Sequence, residues 1–140
     1  MLKRIKLTLL LTFAVALSVL AQKADDIIGR YKLPNDLEIE IFKDGNTYSG
    51  KIVSLNGYKD GVTKDAENPD KLKRNDNLLG KVIITNLVFN ASEKKWLKGK
   101  LYGPEKGLTI NLKVTKLTAT KATAIGSKFV FWRTFDWIKI

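Results

Sequence analysis

The chain has 140 residues, with 25 Lys and Arg against 14 Asp and Glu, a formal charge of +11, and neither cysteine nor histidine. That length allows one domain. The missing residue types exclude disulfide staples, Ser-His and Cys-His catalytic pairs, and imidazole metal sites.

Lys3, Arg4 and Lys6 precede an apolar run from Leu7 to Leu20, broken only by Thr8, Thr12 and Ser18. Val19-Leu20-Ala21 then sets short side chains at the −3 and −1 positions of a cleavage site before Gln22. Residues 1–21 therefore read as a secretory signal peptide, and 22–140 as an exported single domain. The other reading of this run, a membrane anchor, meets an apolar stretch short of the ~20 residues that a span needs. No later stretch is long or apolar enough to span.

Removing the three leader cations from +11 leaves +8. These charges are spread as single lysines, without the basic blocks of a nucleic-acid arm, so no nucleic-acid partner is expected. They read first as solvent-facing groups that discourage edge-to-edge pairing. The second reading is attraction to anionic envelope polymers or lipid head groups. Without cysteine the exported domain depends on its apolar core, and about 119 residues suffice for one.

A first strand is expected over Ile27 to Leu33, ended by Pro34-Asn35. Leu37, Ile39 and Ile41 alternate with Glu38 and Glu40, the period-2 pattern of a half-buried strand. Lys43-Asp44-Gly45-Asn46 predicts a hairpin turn with Asp-Gly as a type I′ pair. The next strand covers Thr47 to Leu55, and Gly50 inside it predicts a bulge or a close backbone approach. From Asn56 to Asn77 the alternation stops in a long charged excursion. Within it, Asn68-Pro69-Asp70 predicts a short helical turn through about Arg74, with Asn68 as N-cap and Pro69 in the first helical position. A connection of this length in a small domain is usually functional or mobile.

Strands resume over Leu79 to Phe89. Val82, Ile84 and Val88 fall on one face and Ile83, Leu87 and Phe89 on the other, which predicts cover on both sides. After the turn Asn90 to Lys94 comes the clearest hairpin, two alternating runs flanking Gly103-Pro104-Glu105-Lys106-Gly107. Proline presets φ there and glycine supplies a positive-φ position. Thr115 to Ile125 alternates weakly, with Ala119, Ala122 and Ala124 keeping side chains small. Gly126-Ser127 is expected to turn the chain into an aromatic last strand, Lys128 to Ile140. Eight strands joined mostly by short turns predict an all-β antiparallel meander closed into a β-barrel, with an open sandwich as the alternative.

Several strings in this order resemble a known family. Gly29-Arg30-Tyr31 resembles a Gly-X-Trp opening. Asp44-Gly45 and Tyr48-Ser49-Gly50-Lys51-Ile52-Val53 resemble its second hairpin. Asp65-Ala66-Glu67-Asn68-Pro69-Asp70 with Leu78-Leu79-Gly80 resembles its "D-x-x-N-P-D … L-x-G" loop. Trp96 with Gly99 to Gly107 resembles "W-x-x-G-x-I-Y-D-P-x-x-G". Together they are similar to the exported bacterial family of unknown function catalogued under the number 2147. The resemblance implies a lipocalin-like barrel exported across the inner membrane of Gram-negative bacteria, hence a periplasmic or secreted protein, and no established activity. Tyr31 replaces the family tryptophan, Gly103 replaces the aspartate before proline, and the arginine-proline before Leu78 is missing. Trp132 stands where the closing "G-R-T-x-x-W" strand has glycine, a tryptophan expected to fill space that the family leaves open.

Candidate chemistry is sparse. Asp65, Glu67 and Asp70 could accept a hard cation, but their spacing lacks the EF-hand pattern and capping with solvation explains them better. No metal or cofactor is expected, and no enzyme. If Phe129, Phe131, Phe135 and Trp137 point inward, alternation sends Arg133 inward with them. A buried guanidinium must be paired or hydrogen-bonded. It would then either pack on a tryptophan as a closing residue or anchor a ligand carboxylate or phosphate. The aromatics divide between core and cavity lining. The candidate ligand-binding residues are Arg133, Trp132, Trp137, Tyr102, Tyr48 and Trp96. The expected function is binding of an apolar or amphipathic small molecule. The alternative is a module without a cavity, held to anionic envelope components by its lysines.

Overall fold

The computed structural model describes residues 22–140; the expected signal peptide lies outside the described residues. After a 3₁₀ turn at Ala24–Ile27 come eight strands: β1 (Gly29–Lys32), β2 (Glu38–Asp44), β3 (Thr47–Ser54), β4 (Val82–Asn90), β5 (Lys95–Gly103), β6 (Leu108–Leu117), β7 (Lys121–Lys128) and β8 (Phe131–Lys139). Each pairs antiparallel with the next, and β8 returns to β1, so the sheet is a closed barrel. The open sandwich is thereby excluded.

Alternation assigns the faces. Along β2, Ile39 and Ile41 are fully buried while Glu38 and Glu40 are only half-buried. Outside, Glu40 lies between Arg30 at 3.1 Å and Lys51 at 3.9 Å, a cross-strand charge ladder. Such exposed pairs contribute little to stability. Their place on the wall does exclude a lipid-facing band, which would have to be apolar. Among the described residues no helix is long and apolar enough to cross a membrane.

The base of the barrel, where the chain enters, is stoppered by the 3₁₀ turn. Ile27 is fully buried. The Trp96 indole Nε1 donates to the Ala24 carbonyl at 3.0 Å, the Tyr31 hydroxyl to the Ile27 carbonyl at 2.8 Å, and the Tyr48 hydroxyl to the Asp25 carboxylate. Ile27 therefore belongs to this stopper, and β1 begins only at Gly29. The β2–β3 turn is centred on Gly45-Asn46 rather than on Asp44-Gly45, because Asp44 pairs with Thr47. Only Gly45 of that pair has positive φ, at 63°. That is the pattern of type II′, not type I′. Gly50 behaves as expected: the β3–β4 register shifts on either side of it, and a Cβ there would lie 3.0 Å from Ile41 Cδ1.

β4 starts at Val82 rather than Leu79, and its simple two-face pattern is broken midway. Asn86 takes φ of 60° and donates from Nδ2 to the Lys98 carbonyl at 3.1 Å; Lys98 on β5 has φ of 64°. This irregularity changes the phase, so that Ile84 and Leu87, three residues apart, are both fully buried. Ile83 is buried as well, so the strand is covered on both faces at that point.

Two turns fall elsewhere than expected. β6 runs through to Leu117, and the chain reverses at Thr118-Ala119-Thr120, where the Thr118 Oγ1 accepts from the Lys121 N–H at 3.2 Å. Hydroxyl chemistry replaces the glycine or proline that usually marks such a turn. Gly126-Ser127 lies inside β7, and the last hairpin turns at Phe129-Val130. Gly126 is there for space, since its Cβ would lie 2.6 Å from Ile110 Cδ1.

The excursion, from the end of β3 to the start of β4, is tied down against the β5–β6 hairpin. Gly107 has φ of 64°, and a Cβ on it would sit 2.0 Å from the Glu67 carbonyl oxygen. That contact is backbone and cannot yield cheaply. Gly107→Ala combines a clash with a strained φ, and should destabilise the protein by about 2 kcal/mol or more. For a domain of this size the melting temperature should then fall by roughly 8 °C or more. A Gly103→Ala control, with its nearest atom at 3.7 Å, should stay close to the parent in the same thermal scan.

Candidate functional site

Opposite the stoppered base, β1, β5 and β7 end and β2, β6 and β8 begin. This upper end holds a cavity of about 430 Å³. Its walls are apolar, formed by Ile83, Leu101, Leu108, Ile110, Phe135 and Trp137. The β1–β2 loop (Leu33-Pro34-Asn35), Glu105, Lys106 and Arg133 line it as well. Behind the β8 wall, β7 supplies small inward residues. Ala122 lies opposite Trp137, Ala124 opposite Phe135 and Gly126 opposite Arg133. Rings on β8 thus face methyl groups or hydrogen across the seam, and the barrel is left unfilled above them. A volume of this size falls within the usual range for ligand pockets.

The polar groups of the cavity are few. Trp137 is fully buried, and its Nε1 has no hydrogen-bond partner in the structure. An unsatisfied buried donor costs about 1–3 kcal/mol. Four residues up the same strand, roughly 13 Å at strand rise, Arg133 lines the mouth with an exposed side chain. Among the described residues it makes no ion pair and no side-chain hydrogen bond, and its guanidinium does not stack on a tryptophan. The closing role in which Arg133 packs on a ring is therefore not what the fold does with it. Glu105 is also at the mouth, and both its carboxylate oxygens accept from Asn35 Nδ2, at 3.3 and 3.4 Å.

The six candidate residues separate into three places. Arg133, Trp137 and Tyr102 line the cavity. Tyr48 and Trp96 pin the stopper at the base and do not reach it. Trp132 points to the outside and is 70% exposed, so it fills no interior space. Phe129 and Phe131, expected inward, are 90% and 76% exposed at the hairpin tip. Sequence reasoning missed Leu33, Asn35 and Glu105, which reach the mouth from loops. The available signal was the placement of Pro34 and Pro104 in turns at one end of the meander.

Asp65 has a structural role that sequence reasoning understated. It is fully buried in the excursion and accepts from the Tyr102 hydroxyl at 2.7 Å and from Asn68 Nδ2 at 2.7 Å; Lys81 Nζ lies at 3.1 Å. Burial alone would raise its pKa, but these three donors outweigh burial and hold it below the ordinary 3.8. On Tyr102 burial, then the Asp65 carboxylate, push the phenol upward. Asn68 is not the helix cap. Its Oδ1 accepts from the Asp70 N–H at 2.9 Å, and Asp70 caps the 3₁₀ turn Lys71–Lys73 by accepting from the Leu72 N–H at 3.0 Å. The Asn68 side chain closes a turn of its own over residues 68–70, and the 3₁₀ turn begins only after Asp70, two residues on. Tyr102, Asn68 and Lys81 thus satisfy both oxygens of Asp65 within the protein. Among the described residues no group of three or more acidic side chains is placed to hold a metal.

An eight-stranded antiparallel meander closed around an apolar pocket at one end is a lipocalin-like barrel. The family model described as "Uncharacterized protein conserved in bacteria (DUF2147)" matches residues 29–139, and the chain belongs to that family. Among solved structures it is similar to protein HP1028 of Helicobacter pylori, described as belonging to the lipocalin family. The TM-score is 0.72 at 21% identity, over 82% of this chain and 83% of the other. At that identity the likeness is one of fold. No curated protein matches the chain.

Removing the Asp65 carboxylate strands the Tyr102 hydroxyl and leaves Lys81 only the Asp76 carboxylate at 3.8 Å, so Asp65→Ala should cost about 3 kcal/mol. Because its folded-state pKa is depressed, its contribution is complete above the unfolded value near 3.8 and is lost as pH falls through the lower folded value. Denaturant midpoints between pH 6 and pH 2 should therefore fall more steeply at the acid end for the parent than for Asp65→Ala.

Proposed function

We propose that this protein is an exported carrier or receptor for an amphipathic small molecule with an apolar chain and an acidic head group. The observation that supports this most is Arg133, a guanidinium without a partner among the described residues at the mouth of an apolar cavity. The chain of the ligand would lie against Ile110, Leu101 and Phe135. Its head group would meet Arg133, with Lys106 nearby. The roughly 13 Å between Arg133 and Trp137 suits a medium-length fatty acid or a similar carboxylate. The reading as a binder rather than an enzyme rests on the absence of histidine and cysteine from the sequence. Export to the periplasm or medium rests on the leader pattern of residues 1–21.

A naphthalene sulfonate dye should bind the mature protein saturably and be displaced by a medium-chain fatty acid. Arg133 holds no partner among the described residues, so Arg133→Met should leave the melting temperature within about 1 °C of the parent. It should weaken fatty-acid displacement by about ten- to a hundredfold, the ~1.5–3 kcal/mol of a charge-assisted hydrogen bond. The corresponding uncharged alcohol should bind parent and variant alike. Displacement that is the same for acid and alcohol in both proteins would sink the reading.

A further inference from the structure

The β7–β8 hairpin does something that neither the barrel nor its cavity requires. Its two central turn residues are Phe129 and Val130, and Phe131 and Trp132 follow at the start of β8. All four are open to solvent, at 90, 85, 76 and 70%. Phe129 also holds φ of 55°, a left-handed conformation that bulky side chains avoid. A glycine or asparagine would serve a two-residue turn better. Four consecutive exposed apolar residues in a strained turn are an error in a soluble surface unless they are used. Folding does not use them, for they pack on no core.

The charges are distributed to match. Residues 22–94 carry twelve basic and twelve acidic side chains and are neutral. Residues 95–140, from β5 to β8, carry ten basic side chains against two acids, Glu105 and Asp136. Asp136 is already paired with Lys121 at 3.2 Å. The whole +8 of the mature chain therefore belongs to the half of the barrel that bears the aromatic tip. On the outer wall the Cα register runs from Trp132 to Ser127, then to Asn111 and to Lys100, with Lys98 and Lys113 close by. An aromatic and apolar tip beside a basic wall is the pairing that a bilayer interface containing anionic lipid selects.

We infer that this protein docks on anionic bilayers through the tip Phe129-Val130-Phe131-Trp132, with Lys106 and Lys128 at the same end, and Lys100 and Lys113 on the wall below, against the head groups. The cavity mouth lies at the same end, since Arg133 follows Trp132 in the chain. Docking would set the mouth at the lipid surface, where an amphipathic acid is available. The inference goes beyond the cavity reading and does not need it, because tip and charge alone make the contact.

Trp96 and Trp137 are fully buried, so Trp132 is the indole that reports the contact. The mature protein is mixed with phosphatidylcholine vesicles containing about one third phosphatidylglycerol, the anionic fraction supplying the attraction. Tryptophan emission should shift to the blue and be quenched by brominated acyl chains, whereas pure phosphatidylcholine should give neither effect. Phe129→Gly relieves the strained φ, so its melting temperature should not fall, while vesicle affinity should drop at least about tenfold. Trp132→Ser should remove the spectral response. Co-sedimentation with unshifted emission, unchanged in Phe129→Gly, would overturn the inference and indicate a purely electrostatic attraction such as an anionic polymer would also exert. Failure to sediment with anionic vesicles would overturn it too. Neither result bears on dye displacement from the cavity, which is read without lipid.

Discussion

Closure of this barrel depends on a short seam. β1 has four residues, and only Tyr31 and Lys32 pair with β8, opposite Lys139 and Ile138. One further backbone bond, from the Ile140 N–H to the Arg30 carbonyl at 3.1 Å, extends it. So few ladder bonds would close a sheet poorly by themselves. What supports them lies behind: the Tyr31 ring meets the Trp137 ring edge-on at 6.0 Å, and the Tyr31 hydroxyl is held by the stopper at Ile27. Trp137 thus belongs both to the seam and to the cavity. The seam cannot be rearranged without altering the cavity, and the entry turn at the base secures both.

Most of the architecture was legible because its signals are local. Alternation placed the inward residues of β2 and β3, and Gly103 to Gly107 marked the β5–β6 hairpin from its turn chemistry. The misplacements have two causes. Gly126-Ser127 looked like a turn, yet Gly126 is needed for space between Ile110 and Phe135, whereas the real turn uses two bulky residues that no propensity would choose. Thr118 turns the chain with a hydroxyl inside what read as one strand, Thr115 to Ile125. Asn86 broke the phase of β4 with a backbone angle invisible to a period count. At Gly126 and Asn86 a long-range demand overrode a local preference; at Thr118 the hydroxyl supplied a local turn of its own.

The candidate site was legible in part. Arg133 and Trp137 emerged from strict alternation along β8, which the fold respects from Arg133 downward. Trp96 and Tyr48 were grouped with them as aromatics, and nothing in sequence separates a ring at the base from one at the mouth. Asp65 was dismissed as a capping neighbour because its partners, Tyr102 and Lys81, come from distant strands. That carboxylate holds the excursion to the outside of β5, which leaves the mouth to be lined by the β1–β2 loop and the β5–β6 hairpin.

The small residues of β7 have one more consequence. Ala122, Ala124 and Gly126 lie at successive levels below the mouth, each facing the inward residue of β8 at its own level. Through the wall side chains packed on them, such as Ile110 and Phe135 on Gly126, they set how far an occupant can descend. In a relative with valine at the level of Gly126 the barrel would plug near its rim and accept only short molecules. With bulk introduced only at the level of Ala122, the upper space would remain and the depth limit would fall near Trp137. Length selection in a barrel of this kind is thus a property of one strand, free to change while the seam, the stopper and the mouth stay as they are.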